Sequence, residues 1–478
     1  AAGELNEQLR NFSATGKQVF VHGTYFSQGE YYLASAADHI SLNPFGMIDF
    51  RGFGILATFM PDFFGKLGVD FNVYTAGDYK GAGETFHRRS FSDENREQLT
   101  DILNSAYELF LEEISINRNI PVEKLKDIAN NLQSRDDRSA LELRLVDAVE
   151  NKHEFKSRIK SSLGLDEDKK LNTISAADYF NSTKSDRRSS ADDQIAVIYA
   201  EGTILGGSDE GGMISDEVYV KAIQEIIDND NIKSVVLRVN SGGGSVIASD
   251  NIYRALVRLT ESGKQLVVSM GDVAASGGYY IACASDHILA EPQTITGSIG
   301  VFFLLVNLNE LVQDKLEIHL DSISTGPYAL KFNPLKEFDD AEHEYYQQLV
   351  EETYDRFINL VAESRDKTYD EIHQVAQGRI WMAEDALSSG LIDQIGDLQD
   401  AIELAASLGQ MDEYRLRTYP QIKDPFLRFI EDLTGESIAL EDMAIKRLSS
   451  TYRELSAIEE LRNMPGLQSR IPYIINYN

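Results

Sequence analysis

The sequence predicts an α/β protein built from two tandem copies of one unit, each with a mainly parallel sheet, followed by a helical tail. An internal repeat, an alternation of strand and helix patterns, and a polar stretch between the copies predict this. GKQVFVHGTYFSQGEYYLASAADHI from Gly16 lies over GKQLVVSMGDVAASGGYYIACASDHI from Gly263 with one extra residue in the second copy. The two share GKQ, a YY pair and an Asp-His-Ile ending at Ile40 and Ile288. Upstream, Leu5, Leu9 and Phe12 match Ile252, Leu256 and Leu259, apolar at i, i+4 and i+7 of a helix. Downstream, ALELRLVDAV at Ala140 resembles ALSSGLIDQI at Ala386. The unit is therefore roughly 200 residues long, a duplicated domain rather than a solenoid repeat of about 20–50 residues.

In the second copy IAVIYA (Ile195–Ala200), SVVLRV (Ser234–Val239) and QLVVS (Gln265–Ser269) read as short buried strands. Helical patterns at Val218–Ile227 and Ile252–Leu259 separate them. Strand, helix, strand at this spacing implies right-handed crossovers and a parallel sheet. The first copy starts at its second helix, without counterparts of Ile195–Ala248, and the chain lacks an initiator Met. The natural chain is thus expected to extend further at its N-terminus, which leaves room there for a membrane anchor. NSTKSDRRSSADD, ending at Asp193, is too polar to bury a core. The expected organisation is a first α/β repeat over 1–157, a polar linker over 158–193, a second repeat over 194–417, and a tail over 418–478. In the tail FLRFIEDL and MAIKRLSSTYRELSAIEEL suggest amphipathic helices that pack or make oligomer contacts.

The chain carries 45 Lys and Arg against 77 Asp and Glu, a net charge of −32, which repels phosphate backbones and anionic lipid. Nucleic acid is excluded as a natural partner. Eight histidines and one cysteine leave no CxxC pair, no HExxH helix and no disulfide framework, so no metal or cofactor is expected. Cys283, in the apolar run YYIACA, reads as a small buried side chain. No run of 18 apolar residues is present, hence neither a spanning helix nor a signal-peptide core.

Two segments carry chemistry. In RVNSGGGS, Arg238–Ser245, a strand ends in three glycines, whose backbone can turn with N–H groups available to an oxyanion; a plain turn would look the same. In GDVAASGGYYIACA, small residues flank Ser276, and Gly277 follows it. Small neighbours let a carbonyl approach the Oγ, although a serine capping a helix gives the same pattern.

At these residues the chain resembles the signal peptide peptidase A family, in its long, duplicated protease IV form, whose domains look like the crotonase and Clp-protease fold. RVNSGGGS resembles the family's oxyanion-loop motif and ASGGYYIA its nucleophile motif. TITGSIGVF at Thr294, GRIWMAEDALSSGLID at Gly378 and AGDYKGAGETF at Ala76 resemble the segment after the nucleophile, the C-terminal signature and the catalytic-lysine stretch. One departure is Gly242, where the family usually has proline. The resemblance implies Ser276 as nucleophile, Lys80 as general base, oxyanion amides at Gly243 and Gly277, and Ser298 orienting the lysine ammonium. For Ser298 a turn residue at a strand end is the other reading, and for Lys80 a solvated surface charge. The resemblance further implies a serine endopeptidase acting on released signal peptides, a homotetramer, and a place in the bacterial inner membrane facing the extracytoplasmic side, held by an N-terminal segment absent from this sequence. A non-catalytic scaffold of the same fold and a crotonase-like acyl-CoA enzyme are the alternatives.

The duplication checks the pair independently. Ser276 falls on Gln28 and Ala275 on Ser27, so the first copy lacks the nucleophile; TAGDYK at Thr75 lies over STGPYA at Ser324, so Lys80 falls on Ala329. Each copy keeps what the other lacks, as expected for one site shared by two domains. A lysine can serve as base only if burial lowers its pKa from about 10.4 towards neutrality. His39 and His287 occupy equivalent repeat positions and read as structural.

Overall fold

The structure, a computed structural model, describes residues 2–182, 191–207, 213–420 and 468–470. In the first repeat the helix Ala2–Ala14 leads to β1 (Phe20–Phe26), the helix Gln28–Ser35 and β2 (His39–Ile48). Then come β3 (Asp70–Ala76), the long helix Asp93–Arg118 and β4 (Ala148–Val149). Strands β1, β2 and β4 form a parallel sheet.

The second repeat runs through β5 (Gln194–Glu201), β6 (Ile204–Leu205), β7 (Ile214–Ser215), the helix Asp216–Ile227, β8 (Ile232–Ser241), β9 (Gly243–Ser245) and the helix Val246–Glu261. It continues with β10 (Gln265–Ala275), the short helix Gly277–Ala282, β11 (Ile288–Ala290), β12 (Ile295–Gly297) and β13 (Val301–Asn307). The helix Asp340–Ser364, β14 (Ile380–Met382), β15 (Gln394–Ile395), the helix Leu398–Leu408 and β16 (Arg415–Tyr419) complete it, and β17 (Gln468–Arg470) lies beyond. Its main sheet has the order β14-β12-β10-β8-β5-β16, with β11 and β15 continuing from β10. All pairs are parallel except β12 with β14.

The near-continuous apolar runs follow from burial on both faces. Along β5, Ile195 and Val197 face the helix Leu398–Leu408 through Ala401, Ile402 and Ala405, while Ala196 and Ile198 face the larger core with Ile223, Ile252 and Leu256. Each such aliphatic side chain contributes about 1.5–3 kcal/mol on burial, so a one-residue slip of β5 would reverse both faces at once.

Equivalent buried bonds recur in the two repeats. The Tyr31 hydroxyl donates to the Leu145 carbonyl at 2.8 Å and Tyr279 to Leu391 at 2.7 Å. The amides of Ile40 and Ile288 each donate to an aspartate, Asp147 and Asp393, at 2.8 Å. Arg118 and Arg365 pair with those same aspartates. These matches fix the register that places Gln28 on Ser276.

The seam between the repeats is a strand pair. β3 of the first runs antiparallel to β13 of the second, from Ala76 opposite Val301 to Asp70 opposite Asn307, within a sheet ordered β3-β13-β17-β9-β6-β7.

Two segments differ from expectation, and a third falls largely outside the described residues. Leu5 and Phe12 are 56% and 45% exposed, because β5 and β8, which pack on Ile252, Leu256 and Leu259 in the second repeat, have no counterparts in the first among the described residues. The stretch expected as linker holds part of the helix Lys152–Ser162, started by an Asn151 capping box and held by Phe155 stacking on His22, and the helix Ala176–Ser182. In the tail, the sequences expected to be helical lie outside the described residues, and 468–470 form a strand.

Candidate active site

Ser276 lies between the end of β10 and the helix Gly277–Ala282 at a sharp turn, with φ 57° and ψ −118°. Such a backbone is costly for a non-glycine residue and persists only where the surroundings impose it. Here its N–H donates to the Gly297 carbonyl at 2.8 Å. The serine makes no helix-capping bond, which removes the capping alternative. The flanking glycines are required sterically: a Cβ on Gly277 would lie 2.6 Å from Ser249 Oγ, and one on Gly278 2.6 Å from the Ser241 carbonyl.

Lys80 follows β3 on a turn that docks backbone to backbone on the second repeat. The Tyr79 N–H donates to the Gln377 carbonyl at 2.9 Å. The approach is so close that a Cβ on Gly77 would meet Gln377 at 2.3 Å and one on Gly378 would meet Lys80 Cβ at 2.6 Å. Lys80 is thereby 5% exposed and Ser276 fully buried.

The Lys80 Nζ lies 2.8 Å from Ser276 Oγ and 3.1 Å from both the carbonyl and the Oγ of Ser298. These three acceptors are formally neutral. Burial, with no compensating carboxylate, lowers the lysine to about 7, so near neutral pH a large fraction of Nζ carries a lone pair. Ser298 adopts φ 51° and is fixed by its N–H donating to the Arg379 carbonyl at 2.7 Å. It is thus a strand-end turn residue and a lysine partner at once.

The two predicted oxyanion amides converge but differ in state. Gly277 opens its helix, where N–H groups lack intrahelical acceptors. Gly243, at φ 99°, lies so near that a Cβ on Gly277 would be 3.2 Å from its Cα. Its N–H donates to Ser241 Oγ at 3.1 Å, a long neutral bond that an oxyanion outcompetes. Alongside, β17 lies antiparallel to β9, with Arg470 opposite Gly243, Ser469 opposite Gly244 and Gln468 opposite both Ser245 and Phe302 of β13.

In the first repeat the equivalent position is filled. The Gln28 Oε1 accepts the N–H of Arg51 at 3.2 Å and of Gly52 at 2.9 Å, and Ser27 is consumed by a capping box with Glu30. The Cys283 thiol, fully buried, is pushed up to about 12, which makes it a poor nucleophile. Among the described residues no group of three His, Cys, Asp or Glu could hold a metal ion, and no helix is long and apolar enough to cross a membrane.

Sequence reasoning passed over Ser241, although RVNSGGGS contained it, and Gly378, which heads a recognised signature.

A family model, Peptidase family S49, matches residues 11–166 and 258–412, one segment in each repeat, and a Clp protease model matches residues 186–294. Protease 4 of Salmonella typhi is 34% identical over 93% of this chain and 72% of its own. Protease 4 of Haemophilus influenzae is 32% identical over 84% of this chain and 66% of its own. Serine protease SPPA, chloroplastic, of Arabidopsis thaliana is 31% identical over 99% of this chain and 69% of its own. With both repeats matched and relatives similar along most of its length, this chain is a serine protease that belongs to peptidase family S49.

Proposed function

We propose that the protein cleaves peptide bonds through an acyl-enzyme in which Ser276 is the nucleophile and Lys80 the general base. The observation that carries this reading is the buried 2.8 Å contact between Lys80 Nζ and Ser276 Oγ. Neutral Nζ takes the Oγ proton as Oγ attacks the substrate carbonyl carbon. The oxyanion accepts from the amides of Gly277 and Gly243. The new ammonium, oriented by Ser298, protonates the leaving amine, and the acyl ester remains on Ser276. Nζ then takes a proton from water, the hydroxide attacks the ester, and the proton returns to Ser276. The pairing of β17 with β9 and β13 supports substrate binding as an added strand.

The family resemblance favours released signal peptides as substrates, on the extracytoplasmic side of the bacterial inner membrane. A fluorophosphonate, which acylating hydrolases capture on their nucleophile, is expected to label Ser276 in the parent and in Ser27→Ala. Ser276→Ala should stay unlabelled by mass spectrometry. A folded parent that resists labelling would instead favour the scaffold or the crotonase-like enzyme.

A homo-oligomer, a tetramer by family resemblance, belongs to the same proposal. By repeat register, residues 319–325 correspond to β3 and residues 53–59 to β13. Both are irregular and belong to no strand among the described residues, and their apolar members Ile323 and Leu56 are 97% and 98% exposed. The β3–β13 contact within the chain supports the same contact between chains, 319–325 of one on 53–59 of the next, a head-to-tail arrangement that closes into a ring. Ile323→Lys and Leu56→Lys are each expected to reduce the mass measured by light scattering to that of one chain. A parent already of single-chain mass would refute the arrangement.

A further inference from the structure

The base and the nucleophile sit on different repeats, so something must hold their separation to a few tenths of an ångström. Gln98, in the helix Asp93–Arg118, is buried at the seam and touches neither Ser276 nor Lys80 through a hydrogen bond. Its Nε2 donates to the Tyr79 carbonyl at 2.7 Å, one residue before Lys80. Its Oε1 accepts the N–H of Ile380 at 3.1 Å. Ile380 is the strand partner of Gly297, one residue before Ser298. One primary amide therefore grips the lysine turn of the first repeat and the lysine-orienting strand of the second.

The amide is itself held. Nε2 also donates to Asn95 Oδ1 at 2.9 Å, and Asn95 Nδ2 donates to Glu84 Oε2 at 2.8 Å. All three side chains are buried, and a Cβ on Gly81, just after Lys80, would lie 2.2 Å from Asn95 Nδ2. Gln98 has both a donor and an acceptor where the seam needs one of each; no hydrocarbon and no carboxylate of that length offers the pair.

We propose that Gln98 is a positioning residue, an amide clamp that sets the place of Lys80 relative to Ser298 and Ser276 by tying the Tyr79 carbonyl to the Ile380 amide. This rests on the reading of Ser276 and Lys80 as the reacting pair. The charged groups around the lysine turn are Asp78, exposed within the turn itself, Glu84, bonded to Asn95 and Ser92, and Arg379, which stacks on Tyr79 and Trp381 and pairs with Glu97 and Asp101. Gln98→Met adds and removes no charge among them.

The test uses the full chain and an internally quenched apolar peptide. Gln98→Met, nearly isosteric, is expected to lower kcat by about 10–100-fold with KM within about twofold, since small misplacements of a reacting group cost this much. Gln98→Glu keeps the acceptor and adds a negative charge beside the lysine turn. It should lower kcat and move the acid limb of the kcat/KM profile to higher pH, because a nearby anion favours the ammonium. Gln347→Met is the control: its Nε2 donates to the Thr75 carbonyl at 3.2 Å across the same seam, away from the lysine turn, so kcat and the limb should stay at parent values. If Gln98→Met lowers the melting temperature but leaves kcat and the limb at parent values, the residue is merely structural and the proposal fails. If Lys80→Ala retains parent activity, the underlying pair is wrong; if Lys80→Ala is inactive while both Gln98 variants match the parent, only the clamp is wrong.

Discussion

Lys80→Met is expected to lower kcat/KM by about 10²–10⁴-fold, the range general acid–base catalysis supplies, and at the same time to make the folded protein more stable. The second effect follows from the lysine's burial. A lysine lowered from about 10.4 to about 7 by desolvation destabilises the fold by about 5 kcal/mol whenever it must be charged. The sign is that of a base whose folded pKa is depressed: the penalty is complete below pH 7 and shrinks as pH rises towards the unfolded value. Methionine has no charge to desolvate, but it leaves the Ser298 carbonyl and Oγ without their donor, so the net gain is a few kcal/mol at pH 6–7. Urea unfolding of parent and variant from pH 6 to 10 should give curves that converge at the alkaline end. In the parent, kcat/KM should rise about tenfold per pH unit up to pH 7 and then level. A folded Lys80→Met variant with parent turnover would leave the mechanism without its base.

Gly378→Ala is expected to reduce kcat by about 100-fold although the residue carries no functional group. Its backbone has φ +77°, which costs a residue with a Cβ about 1–2 kcal/mol. The added carbon would sit 2.6 Å from Lys80 Cβ and 2.7 Å from its backbone N. The seam must open, and Lys80 moves away from Ser276. A shift of about 1 Å suffices for a loss of that order. Gly263→Ala, at φ +90° and with no atom within 4 Å of the new carbon, is the matched control. Full activity in Gly378→Ala, with circular dichroism unchanged, would mean that the seam yields without disturbing the pair.

The contrast between what the sequence disclosed and what it hid has a physical basis. Ser276 and Lys80 were legible because each stands in a dense local motif and because the repeat turns their absence at Gln28 and Ala329 into a comparison. The strands β5, β8 and β10 were legible because apolar runs bounded by polar turns are local signals. The Gln98 clamp was not, since its bond to Ile380 joins residues 282 positions apart and an isolated glutamine in a helix carries no pattern. The pairing of β3 with β13 was hidden for the same reason. The exposed faces of Leu5 and Phe12 show the converse, a periodicity that states which face is apolar without stating what covers it.

The division of the pair between the repeats has a consequence for how a ring of these chains would handle a long peptide. The contact inside the chain joins Ser276 to Lys80, whereas in the proposed ring a contact between chains would bring the Gln28 side of one copy against the Ala329 side of another. Competent and mute junctions would then alternate around such a circle, with neighbouring cutting centres two domains apart. A fragment leaving one centre would meet a mute junction before the next competent one, so successive cuts would proceed by release and recapture rather than by hand-over. In such a ring the spacing between centres, rather than a ruler within one of them, would set the shortest segment that two centres can engage together.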